Sequence, residues 1–172
     1  MNRTELNDLW KSQRKEIERW QESLVREAVK LYKSVSARLQ PDPETWPDFG
    51  TGEQRKYVDL LDISEKPQQL RGGFTHKSFT DEGELFFAIQ VTFDQGLRTY
   101  PKTQLHVPIA VRYKAGTPQF SFFDTQSKTV EPQAQWNADI GVFTEAVISR
   151  IEKYLRFDPF HGPRSPSSIG FL

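Results

Sequence analysis

Three histidines, no cysteine and a scatter of carboxylates bound the chemistry open to this 172-residue chain. A serine or threonine nucleophile needs a histidine base; only His76, His106 and His161 exist, and no G-x-S-x-G elbow accompanies them. Without cysteine there is no thiol nucleophile, no disulfide scaffold and no cysteine-ligated zinc or iron–sulfur site. No two histidines stand four apart and H-E-x-x-H is absent, so neither metal nor cofactor is expected. Pro47-Asp48, Asp59 and Glu65-Lys66 bear a superficial likeness to a metal-dependent nuclease pattern. Glu65-Lys66 lacks the intervening residue, however, and Asp59 and Asp62 fall on opposite faces of a regular strand. The sharpest candidate is a basic turn, Arg71-Gly72-Gly73 with His76-Lys77, small and positive enough to hold an anion; the plain alternative is an exposed turn. Gly72-Gly73 is the only glycine pair, and neither G-x-x-x-x-G-K nor G-x-G-x-x-G occurs.

Lysine plus arginine equal aspartate plus glutamate, 23 each, so the chain is not built to coat nucleic acid or an anionic membrane. Residues 1–40 carry nine basic and six acidic side chains, but the acids are interleaved and break any basic stripe. Nucleic acid is therefore not the expected partner. Residues 1–20 lack the apolar region of a signal peptide, and the longest apolar run, Leu85-Phe86-Phe87-Ala88-Ile89, is far too short for a bilayer. A cytoplasmic protein with no membrane contact is the expectation. Aromatic residues reach 13%, enough to build a core from few side chains or to furnish an interface.

The elements that must position these residues follow from periodicity. Leu6, Trp10, Ile17, Trp20, Leu24, Ala28, Leu31 and Val35 form one helical seam over residues 1–40, interrupted by Gln13. Asn2 and Glu5 have capping-box spacing, and Pro41 supplies the stop. Such a helix spans roughly 50–60 Å, more than a domain of this size, so part of it should overhang, bend or meet a partner. Residues 41–56 read as an irregular acidic linker rich in proline and glycine, with Trp46 and Phe49 as plugs.

Residues 57–157 form the expected body. Period-two alternation predicts a short strand at Tyr57–Ile63, a weaker one at Gly73–Phe79, the clearest at Glu84–Phe93, and others at Gln104–Tyr113, Gln119–Asp124 and Lys128–Glu131. Pro108 suggests that its strand is an edge or carries a bulge. A second helix is expected from an Asn137 cap, with Ile140, Phe143, Val147, Ile151 and Tyr154 as its buried stripe. Residues 158–172 are a linker-like tail ending in apolar residues. The class is α+β: a long N-terminal helix, a four- to five-stranded antiparallel meander sheet, and a C-terminal helix packed on one sheet face.

Helix, antiparallel meander, helix is also the order of the ubiquitin-conjugating enzymes, and Tyr100-Pro101 and Trp136 resemble landmarks of that fold. The chain departs from it where Leu105 stands in for, or Pro108 delays, the second proline, and in the extra hairpin at 114–118. With no cysteine for a thioester, the resemblance implies a catalytically inactive relative.

The sequence points first to a small non-enzymatic protein-binding module: an adaptor, chaperone-like factor, inhibitor or immunity protein. It would meet a protein partner, or a second copy of itself, through Trp10, Ile17, Trp20, Leu24, Trp46, Phe49, Phe171 and Leu172. The alternative is a small enzyme or ligand-binding protein that takes an anionic substrate in a helix–sheet pocket at Arg71, Gly72, Gly73, His76 and Lys77.

Overall fold

A computed structural model describes residues 2–96, 100 and 102–156, with the backbone alone of 170–171. Helix α1 (Arg3–Leu39) opens with the capping box that the Asn2/Glu5 spacing predicts: Glu5 N–H donates to Asn2 Oδ1 at 3.0 Å, and Asn2 N–H donates to Glu5 Oε2 at 2.8 Å. It closes on Gln40 in the left-handed region, immediately before Pro41.

The residues read as an irregular linker fold instead as a hairpin of two short strands, β1 (Thr45–Pro47) and β2 (Gln54–Lys56). Proline is tolerated at the end of a strand, and the turn is organised by the Asp48 carboxylate, which accepts from Gly50 N–H at 2.9 Å.

The main sheet is antiparallel, in the order β4 (Gln68–Gln69), β3 (Val58–Asp62), β5 (Glu84–Phe93), β6 (Thr103–Lys114), β7 (Thr117–Asp124) and β8 (Thr129–Val130). The backbone of β9 (Gly170–Phe171) adds to β6 opposite Leu105 and His106. β5 to β8 form a meander, whereas β4 folds back outside β3. Ala115 and Gly116 both have positive φ, as a two-residue turn between β6 and β7 requires.

Two expectations need correction here. β6 is central rather than an edge: Pro108 falls in the gap on its outer side, where β7 pairs only from Ile109 onward and β9 only with residues 105–106. Gly73–Phe79 is no strand but a loop with a 3-10 turn at His76–Ser78, because nothing but a single bridge from Phe79 to Leu85 pairs with it.

Helix α2 (Ile140–Leu155) starts at Asp139, whose Oδ1 accepts from Val142 N–H at 3.0 Å; Asn137 instead accepts from Asp139 N–H, one step outside the helix. The helices lie side by side, joined by Ser34–Thr144 (2.8 Å) and Arg38–Glu145 (2.7 Å). Together they cover one sheet face. Leu24, Ala28, Leu31 and Val35 from α1, and Phe143, Val147 and Ile151 from α2, meet Leu60, Phe87, Ile89, Val107, Ile109 and Phe120. Among the described residues no helix is long and apolar enough to cross a membrane.

The first half of α1 takes no part in this core. Every residue from Asn2 to Arg19 is exposed, and contact with the body begins at Trp20, whose ring meets Phe79 at 5.8 Å. At about 1.5 Å per residue the overhang reaches roughly 25 Å.

Candidate functional site

The sheet face away from the helices is not solvated, as a half-covered sheet would be. Glu84 to Thr92 of β5 are all buried, so both faces of that strand are covered. At one end the covering is apolar: Phe86 stacks on Phe123 at 4.8 Å beside Ala110, Ile63, Val130 and Trp136, and the Arg112 guanidinium lies 3.9 Å from the Trp136 ring centroid. At the other end it is polar.

Strand register creates the polar part. Leu61 opposes Gln69, Asp59 opposes Gln90, and Gln90 opposes His106, so side chains from four neighbouring strands line up across one face. Gln69 Nε2 donates to Asp59 Oδ2 at 3.1 Å, and Gln90 Oε1 lies 3.0 Å from His106 Nε2. Burial drives His106 down to about 4, so the imidazole is neutral at pH 7. Burial also holds the Asp59 carboxyl above its ordinary value.

Over this row lies a cavity of about 590 Å³, lined by Arg55, Leu61, Asp62, Gln90, Gln104, Thr75 and the loop from Pro67 to Gly73. Asp62 is 2% exposed. Its Oδ1 accepts from Ser78 Oγ and Ser64 N–H, both at 2.9 Å, while Oδ2 has no partner. Arg55 Nε, 2.5 Å from Asp48 Oδ2, also lacks a well-aligned hydrogen bond. Arg71 reaches both Glu53 oxygens through Nη2 alone, at 3.0 and 2.9 Å.

The expected anion loop is thus divided. Arg71, Gly72 and Gly73 line the cavity, with Gly73 at φ +96°. His76 and Lys77 stand outside it, exposed, with Lys77 paired to Glu65. Sequence reasoning missed Arg55, Gln69 and Gln90, which come from separate strands; the only available signal was that Asp59, Gln90 and His106 occupy polar positions in otherwise apolar strands.

The expected partner-binding residues divide as well. Trp10 and Ile17 are exposed on the overhang, with Leu6 and Leu9 beside them. Trp20 is half-buried. Leu24 is wholly buried in the body, so it is a core residue and no contact for a partner. Trp46 is also internal, at 3% exposed. It walls a pocket with Tyr57 and Tyr100 in which the Lys102 ammonium lies 5.3–5.9 Å from the three ring centroids and donates to Asp94 and, at 2.9 Å, to the Gly96 carbonyl. The Lys102 and Tyr57 hydrogen bonds hold the Asp94 carboxyl below its ordinary value, and burial with Asp94 pushes Tyr57 up to about 12. This clasp ties the β1–β2 hairpin to the chain between β5 and β6. Phe49 is 65% exposed at the hairpin turn, edge-on to Tyr100. Phe171 is described only as backbone paired with Leu105, and Leu172 and His161 lie outside the described residues.

Of the residues that resemble the ubiquitin-conjugating fold, Tyr100 donates its hydroxyl to the Pro47 carbonyl and Trp136 stacks under Arg112; Pro101 lies outside the described residues. Among the described residues no group of three histidine or acidic side chains is placed to hold a metal ion. Compared with known families, with characterised proteins and with solved structures, the chain matches none.

Proposed function

We propose that this chain works through protein–protein contact made by the overhanging half of α1, and that the occupant of its apolar stripe is a second copy of the chain. One observation carries the reading. Leu6, Leu9, Trp10 and Ile17 are 46–59% exposed on a helix whose next heptads, at Leu24 and Leu31, are wholly buried by the body.

That continuity also sets the direction of pairing. Trp10, Ile17, Leu24 and Leu31 stand seven apart on one face, and from Leu24 onward the body occupies that face. A parallel partner running down the seam would meet the body. An antiparallel partner would not, because the two overhangs overlap and the bodies lie at opposite ends, a two-fold arrangement. In the heptad register nearest full overlap, Leu6 faces Ile17 of the second copy and Trp10 faces Gln13. Charge allows it, since the overhang's ions pair within the helix: Arg14 with Glu18, Arg19 with Glu16 and Lys11 with Asp8.

An overlap of about five turns is short for a coiled coil, so association should depend on concentration. Light scattering over a tenfold concentration range is expected to show the mass rising from 20.0 kDa toward twice that value, and Trp10→Ala with Ile17→Ala to hold it at the monomer. A monomer at every concentration overturns self-pairing.

A further inference from the structure

Independently of the helix, we infer that the cavity over the polar sheet face is a binding site for a small primary amine that carries hydroxyl groups, such as an amino sugar or an amino alcohol. Three charged side chains line it: Arg55, Asp62 and Arg71. Arg55 is paired with Asp48 and Arg71 with Glu53, so both guanidiniums are answered within the protein. Asp62 has no ion pair. It is 2% exposed, with Oδ1 accepting from Ser78 Oγ and Ser64 N–H, while Oδ2 has no partner. A carboxylate buried in this way is costly, and a hydrogen-bond donor, above all a cationic one, relieves the cost.

The rest of the lining narrows the cation. A metal ion asks for several acidic or histidine ligands, and among the described residues no group of three is placed together. A quaternary ammonium asks for aromatic faces, and no aromatic side chain lines the cavity. An ammonium with its own N–H groups needs only one carboxylate and neutral acceptors beside it. The carboxamides of the wall supply those. Gln69 spends its Nε2 on Asp59 and leaves its carbonyl oxygen without a hydrogen bond among the described residues, and Gln68 and Gln104 make no side-chain hydrogen bond there. Amides donate as well as accept, which matches hydroxyl groups on the same molecule. The volume, about 590 Å³, suits a molecule of sugar size.

Glucosamine is the probe, titrated into the full chain by calorimetry, with glucose and choline as controls. Glucose has the hydroxyl groups without the charge, and choline has the charge without N–H donors. Glucosamine should bind about tenfold or more tightly than either. Asp62→Asn keeps an acceptor for Ser78 and Ser64 and removes the charge, so it should bring glucosamine down to the affinity of glucose. Circular dichroism and Tm check that this variant folds. If it does not, Gln104→Ala, at a half-buried side chain with no hydrogen bond of its own among the described residues, serves in its place and should weaken glucosamine about threefold or more. The inference is overturned if glucose or choline binds as tightly as glucosamine, if glucosamine does not bind at concentrations up to about 10 mM, or if the folded variant binds it like the parent.

Discussion

Ile89 and Gln90 are neighbours on β5 and almost equally hidden from water, at 0% and 5% exposed, yet they belong to different kinds of interior. Ile89 faces the helices, within an apolar cluster that takes in Leu24, Leu31, Phe143 and Val147. Gln90 faces the other way, into a row with Asp59 and His106 and toward a cavity whose wall includes the unpartnered Asp62 Oδ2. The first face is close-packed and holds the fold together. The second buries polar groups, and each one whose hydrogen bonds are incomplete gives up stability.

The contrast is sharpest in the response to substitution. Phe87→Ala, on the apolar face at 0% exposed, should destabilise the protein by about 3–5 kcal/mol, read as a fall in the denaturation midpoint at unchanged slope. A cost below about 1 kcal/mol would mean that the helix-covered face is not the main core.

Next is a pH effect confined to the polar face. His106 is held at about 4 against 6.5 in the unfolded chain. Between those values the unfolded state binds a proton that the folded state does not. Stability is therefore lost as pH falls from 6.5 toward 4, by up to roughly 3 kcal/mol. Asp59 and Glu84, raised by burial, oppose the slope at its acid end. His106→Gln should flatten the dependence of Tm on pH over this range; an unchanged slope would place its origin elsewhere.

Smaller effects test whether the polar groups act as pairs. Gln90→Leu alone leaves His106 without its partner and should cost about 1–2 kcal/mol, whereas Gln90→Leu with His106→Leu should recover most of that loss. If the double variant is the worse of the two, the row is a structural network and not a tolerated cost. Smallest of all, Arg71→Ala should change stability by less than about 0.5 kcal/mol, because its ion pair is exposed. A larger loss would make the cavity rim part of the scaffold.

Much of the fold could be read from residue order. The capping box at Asn2, the stop at Pro41, the strand Glu84–Phe93 and the buried stripe of α2 are local or periodic, and each appears where periodicity puts it. The long helix exceeds its body for the same reason: a length of about 55 Å follows from 37 residues alone. Pairing was harder to see. The β1–β2 hairpin is fastened where Trp46 meets Lys102, more than fifty residues away, and Pro108 fits inside a central strand because it falls in the gap between the β7 and β9 pairings. Half of the Arg71–Lys77 loop reaches the cavity and half does not, a division that depends on how the turn bends and not on its composition.

Residue order is enough for the α+β class, the apolar seam of α1 and the alternation along the strands, because these depend on spacing within one element. Packing makes Leu24 core and leaves Ile17 at the surface, although they stand one heptad apart on the same stripe. Strand pairing likewise brings Gln69, Asp59, Gln90 and His106 to one face. Both outcomes rest on register and on where the body ends, and these are fixed by which strands and helices find each other once the chain has closed on itself.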